Sequence, residues 1–67
     1  MESNPDTYRA AYILIEEHGD EAVFHAIMRA DAMLFKGDLE GRAAWLRVVK
    51  AVNELLDEQP GEHDVLH

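Results

Sequence analysis

The chain has 67 residues, of which 14 are acidic and six are basic, carries a formal net charge of −8 and contains no cysteine. This length makes one domain at most and leaves a core that rarely supplies more than about 3–5 kcal/mol, so well-packed helices or a second chain must complete the fold. The scattered basic residues disfavour nucleic-acid binding, no stretch approaches the ~18 apolar residues of a membrane helix, and the acidic N-terminus is unlike a signal peptide, so we expect a cytoplasmic protein.

The first predicted helix covers residues 5–18. Asn4 offers a side-chain oxygen for the N-cap, and Pro5 suits the first helical position, where a missing N–H costs nothing. Apolar side chains recur at helical spacing along this stretch, and Gly19 is placed to end it.

The second helix is predicted over residues 21–36, with Asp20 as its N-cap candidate. Its apolar residues fall on two arcs of the helix. One arc holds Ala22, Val23, Ala26, Ile27, Ala30, Met33 and Leu34, and the other holds Phe24, Met28 and Phe35. A helix that is apolar around most of its circumference is usually covered on two sides. We therefore expect helix 2 to be central, with helices 1 and 3 on one arc and a second chain on the other.

The third helix is predicted over residues 39–58. Gly37 suits the left-handed end of helix 2, and Asp38 suits the N-cap of helix 3. Gly41 lies within the apolar stripe of this helix, which indicates close approach of another group. Leu39 and Leu46 lie off that stripe and indicate a second contact surface. The pattern predicts one all-α domain over residues 1–58, a dimeric three-helix up-down-up bundle, followed by a flexible tail at 59–67.

Asp31 lies between the two apolar arcs of helix 2, where a carboxylate must be paired or solvated. With tight turns at both ends of helix 2, Asp31 would lie level with Tyr8 and with about Ala44 and Trp45. The available donors are then Tyr8, Arg42 and Trp45. These three side chains offer hydroxyl, guanidinium and indole donors. We interpret Asp31 as a structural polar anchor; a ligand-binding or catalytic use of its carboxylate is the alternative.

Histidines near the first turn raise a metal-binding alternative. His18, Glu21 and His25 could be brought together by a favourable turn, but a zinc site wants three or four ligands with supporting groups. The chain also has no cysteine nucleophile and no glycine-rich phosphate loop. We therefore expect neither an enzyme nor a bound cofactor or metal.

Part of the chain resembles a known family. The run Arg29-Ala30-Asp31, followed by Gly37-Asp38, Gly41, Trp45, Arg47, Ala51-Val52 and Glu54-Leu55, is similar to a family of short, mainly proteobacterial proteins known only as a domain of unknown function. The resemblance covers roughly residues 8–56. It implies a short helical bacterial protein and assigns no catalytic residue.

Taken together, the residues indicate an acidic helical interaction or regulatory protein that self-associates through helices 2 and 3 or binds another bacterial protein. The predicted interface residues are Phe24, Met28, Phe35, Leu39 and Leu46. The alternative is a small metal- or ligand-binding protein that uses His18, Glu21 and His25.

Overall fold

The structure is a computed structural model that describes residues 5–57. Helix α1 covers Pro5–His18, a 3-10 turn covers Gly19–Glu21, α2 covers Ala22–Lys36 and α3 covers Leu39–Asp57. The described residues form no strand, so the all-α prediction is confirmed. The predicted Asn4 cap, the end of the domain at residue 58 and the tail at 59–67 lie outside the described residues.

The connection between α1 and α2 differs from the tight turn predicted there. Gly19 has a φ of 59°, but the chain continues at once into the 3-10 turn, in which the Ala22 N–H donates to the Gly19 carbonyl. Glu21 becomes the N-cap of α2 and makes no side-chain cap hydrogen bond, so the predicted Asp20 cap is wrong. Residues 5–36 therefore form one helical segment bent near Gly19, rather than two helices separated by a loop.

The connection between α2 and α3 is the turn that the sequence predicts. Gly37 has a φ of 81°, its N–H donates to the Leu34 carbonyl at 3.0 Å, and the Asp38 N–H donates to the Met33 carbonyl at 2.8 Å. This pair of bonds is the Schellman arrangement that ends many helices. Asp38 then caps α3, because its Oδ1 accepts a 2.8 Å hydrogen bond from the Gly41 N–H.

The tight turn makes α2 and α3 antiparallel neighbours. Met33 Sδ lies 2.9 Å from the point where a Cβ of residue 41 would be, and the Arg29 guanidinium lies 5.3 Å from the centre of the Trp45 ring. Positions at equal distances from the turn therefore face each other across the two helices. Glycine at position 41 leaves the space that Met33 occupies.

The buried core is built mainly from alanine. Ala11, Leu14, Ala22, Ala26, Ala30, Val48, Ala51 and Val52 are the buried apolar residues of the described chain, and Val52 is the largest that is fully buried. Small side chains let helix backbones approach closely, so little large apolar surface is needed to bring α2 against α3. Ile27 and Leu34, which the sequence analysis assigned to the core arc, remain 40% and 47% exposed.

The central element is α3 rather than α2. Helix α3 packs against both α1 and α2, whereas α1 and α2 contact each other least. The prediction that α2 is the central helix is therefore wrong, because within the described residues a narrow row of alanines buries α2 on one side only. Cover of its other side by a second chain stays a prediction. Instead of the predicted three-helix up-down-up bundle, the described residues form one long bent helical segment and a second helix, α3, packed against both of its parts.

Candidate protein-interaction surface

The outer side of α2 carries a continuous row of exposed side chains, which we call the α2 stripe. At 100° per residue Phe24, Met28, Asp31 and Phe35 fall opposite Ala26, the middle one of the three buried alanines of this helix. Ile27 and Leu34 lie between the two sides. The α2 stripe consists of Phe24, Ile27, Met28, Asp31, Leu34 and Phe35. Phe35 is 93% exposed and Phe24 is 59% exposed, so the largest apolar side chains of α2 face solvent.

A smaller apolar surface lies on α3, on the side away from Val48 and Val52. Leu39 is 65% exposed and Leu46 is 40% exposed. Leu39 follows the Gly37 turn directly, so it lies at the same end of the α2–α3 pair as Phe35. All five residues predicted for an interface are thus exposed, and their contact with another chain stays a prediction.

Asp31 is exposed at the centre of the α2 stripe. Its neighbours three and four positions away along the helix are Ile27, Met28, Leu34 and Phe35, all of which are exposed apolar residues. No hydrogen bond or ion pair joins Asp31 to another described residue. The predicted structural polar anchor therefore has no partner for Asp31 among the described residues, because the alanine row, and not the position of Asp31 between the two apolar arcs, faces the core.

The other members of the predicted anchor have different partners. The Tyr8 hydroxyl donates a 2.7 Å hydrogen bond to Glu54 Oε1 on α3. Trp45 lies beneath the Arg29 guanidinium. The Arg42 Nε is buried and has no hydrogen-bond partner among the described residues. The structure therefore does not bring Tyr8, Arg42 and Trp45 together around Asp31.

Sequence reasoning missed the Tyr8–Glu54 and Arg29–Trp45 contacts for different reasons. The Arg29–Trp45 contact follows from the short turn, since both residues lie eight positions from residue 37. Counting outward from Gly37 would have found it. The Tyr8–Glu54 bond joins residues 46 positions apart and depends on how α1 crosses α3, which no local pattern specifies.

The candidate metal ligands are only partly assembled. The His18 and His25 rings stack with centroids 3.6 Å apart and an interplanar angle of 13°, and Phe24 meets His25 edge-on at 5.9 Å. His18 Nε2 also lies 3.8 Å from Glu17 Oε1. Among residues 5–57, no three His, Asp or Glu side chains come close enough to hold a metal ion, and Glu21 does not complete such a set.

An open groove lies between α1 and α3. Its volume is about 290 Å³, and it is lined by Asp6, Thr7, Ala10, Ala44, Trp45, Arg47 and Val48. Small-molecule sites are typically enclosed clefts of roughly 300–1,000 Å³. The groove is small and mostly open to solvent, so the α2 stripe is the better candidate for a functional surface.

Comparisons with protein-family models, with curated protein sequences and with solved structures returned no match. The resemblance to short proteobacterial helical proteins therefore stays a prediction. Within residues 5–57, none of the helices combines the length and apolar composition that crossing a membrane requires. What the protein does must be argued from its own surface.

Proposed function

We propose that the protein is a small acidic interaction or regulatory protein that self-associates through α2 and α3. The observation that carries this proposal is the inversion of side-chain size on α2. Its buried residues are three alanines, while two phenylalanines, a methionine, an isoleucine and a leucine of the same helix are exposed. Contiguous exposed apolar surface on a small protein typically marks a site of contact with another macromolecule.

The surface on α3 supports self-association in particular. Phe35 and Leu39 lie on the two sides of the Gly37 turn, and Leu46 continues the apolar surface along α3. A second copy that covered both helices would bury these side chains and complete a larger helical bundle. Soluble oligomers are most often symmetric dimers, so a homodimer is the form we propose.

Sedimentation velocity of the full chain at tens of micromolar tests the proposal. We expect a dimer. We also expect Phe24→Gln and Met28→Gln each to raise its dissociation constant by about tenfold, as for central interface residues. Tyr12→Gln is the matched control, because Tyr12 is 57% exposed but lies on α1. A wild-type monomer, or equal weakening by Tyr12→Gln, would contradict self-association through α2.

The second candidate is a small metal- or ligand-binding protein that uses His18, Glu21 and His25. It is supported by the contact between the His18 and His25 rings, which places two imidazoles of different helices side by side. Calorimetric titration with zinc tests it, with His25→Phe as the control that retains a stacked ring. Heat of binding that disappears in His25→Phe would favour this candidate, and the absence of heat would end it.

A further inference from the structure

The α2 stripe combines apolar side chains with a single acidic one. It contains five apolar residues and one carboxylate, and it contains no basic residue. The carboxylate of Asp31 is central, since apolar neighbours flank it at three and four positions on both sides. Any partner that covers the stripe must therefore also cover Asp31.

A second α2 stripe can cover Asp31 but supplies no cation to pair with it. Packing the two stripes against each other would place two Asp31 carboxylates in a surface shielded from water, where like charges repel and unpaired charges are costly. The nearest cation of the helix is not available, because Arg29 points to the opposite side and lies over Trp45.

We infer that the α2 stripe binds an amphipathic helix of a partner protein that carries one arginine or lysine at the centre of its apolar face. This inference rests on the proposed function, because it takes the stripe as a contact surface, and it adds a partner protein that competes with the second copy for the same stripe. The basic group pairs with Asp31 while apolar residues on both sides of it cover Ile27, Met28, Leu34 and Phe35. A helix laid into such a surface is a common mode of peptide recognition.

The dimensions of the stripe define the partner further. From Phe24 to Phe35 it spans eleven helical steps, or about 17 Å at 1.5 Å per residue. A partner helix of about three turns covers this length, with its basic residue nearer the end that meets Phe35. The negative field of the whole chain favours encounter with a basic segment, and Asp31 then fixes how that segment lies on the stripe.

Two synthetic helices of identical composition and net charge test the inference. Each is about 18 residues long, which is long enough to be helical, and has leucines on one face. One isomer carries its single arginine at the centre of the leucine face, and the other carries it on the polar face. Because the isomers have equal charge, general attraction to an acidic protein cannot distinguish them. Fluorescence anisotropy measures their binding to the full chain.

We expect the isomer with the central arginine to bind the wild-type chain at least about tenfold more tightly than the other isomer. Asp31→Asn should remove this difference. Asp20→Asn, which neutralises an exposed acid outside the stripe, should preserve it. Equal binding of the two isomers by the wild-type chain, or a difference that survives Asp31→Asn, would overturn the inference.

The sedimentation experiment separates the failure of this inference from the failure of the proposed function. If neither isomer binds while wild-type chains associate and Phe24→Gln dissociates them, the stripe takes a second copy and only the inference fails. If the chains do not associate and no helix binds, the proposed function and the inference both fail.

Discussion

The Tyr8 hydroxyl donates a 2.7 Å hydrogen bond to Glu54 Oε1 and so ties the first turns of α1 to the last turns of α3. The two residues are 46 positions apart, so the bond joins distant parts of the chain. It lies at an exposed site, where water competes for both groups. Its contribution to stability is therefore modest, although it connects α1 to α3.

Tyr8→Phe removes the donor and keeps the ring. We expect the free energy of unfolding to fall by about 0.5–1 kcal/mol, the usual net value of one hydrogen bond. Urea unfolding followed by circular dichroism measures this change. Tyr12→Phe on the exposed side of α1 is the control, and an equal loss in that variant would show that the Glu54 contact contributes nothing specific.

Arg29→Gln removes the cation above Trp45 while keeping a polar side chain on α2. A guanidinium 5.3 Å from the ring centre is within the range of a cation–π contact, so we expect a loss of about 0.5–1 kcal/mol. Trp45 is the only tryptophan, and its fluorescence should also change in the folded protein. An unchanged emission spectrum together with unchanged stability would contradict the contact. Arg9→Gln, at an exposed position on α1, is the control.

Gly41→Ala should destabilise the chain even though alanine is the better helix former. The new Cβ would lie 2.6 Å from Asp38 Oδ2 and 2.9 Å from Met33 Sδ. Met33 is flexible and can move, but Asp38 is short and is held by its capping bond to the Gly41 N–H. The loss of stability from this crowding, typically about 1–3 kcal/mol, should exceed the stability that alanine adds as a better helix former, which is up to about 1 kcal/mol. A higher melting temperature for Gly41→Ala would show that the cap adjusts without cost.

Asp31→Ala should leave stability nearly unchanged. Asp31 is exposed and joins no described residue by a hydrogen bond or ion pair, and surface changes of this kind usually stay within about 0.5 kcal/mol. Thermal unfolding of the variant checks this, with Asp38→Ala as the contrasting case because it removes a helix cap. A loss above 1 kcal/mol, the range of a lost buried partner, would restore the structural role that the sequence suggested for Asp31.

The turn at Gly37 could be predicted from the sequence because its causes are local. A left-handed glycine followed by a capping aspartate specifies the end of one helix and the start of the next within two residues. The bend near Gly19 is less evident from the sequence, because the chain forms a 3-10 turn there and Glu21, rather than Asp20, is the N-cap of α2. Helix periodicity fixes which side chains share a face, but it does not say which face is buried.

For this reason the exposure of Ile27, Leu34 and Asp31 was not predicted. Their angles on the helix were assigned correctly relative to Ala22 and Ala26, but the buried sector is narrower than the apolar arc. Close approach of α3 buries the alanines of α2, and larger residues such as Ile27 and Leu34 lie at the edge of the helix contact. The resulting surface, with an acid at its centre, was therefore not evident from the apolar pattern alone.

The alanine row of α2 has a consequence for how this chain tolerates change. A core of branched side chains can repack around a new neighbour, but Ala22, Ala26 and Ala30 have almost no side chain to rearrange. A larger residue at any of the three would have to push α2 away from α3 as a rigid unit. The solvent-facing side of α2 meets no such obstacle. Substitutions on that outer face can therefore change what the surface binds while the separation of the two helices remains constant.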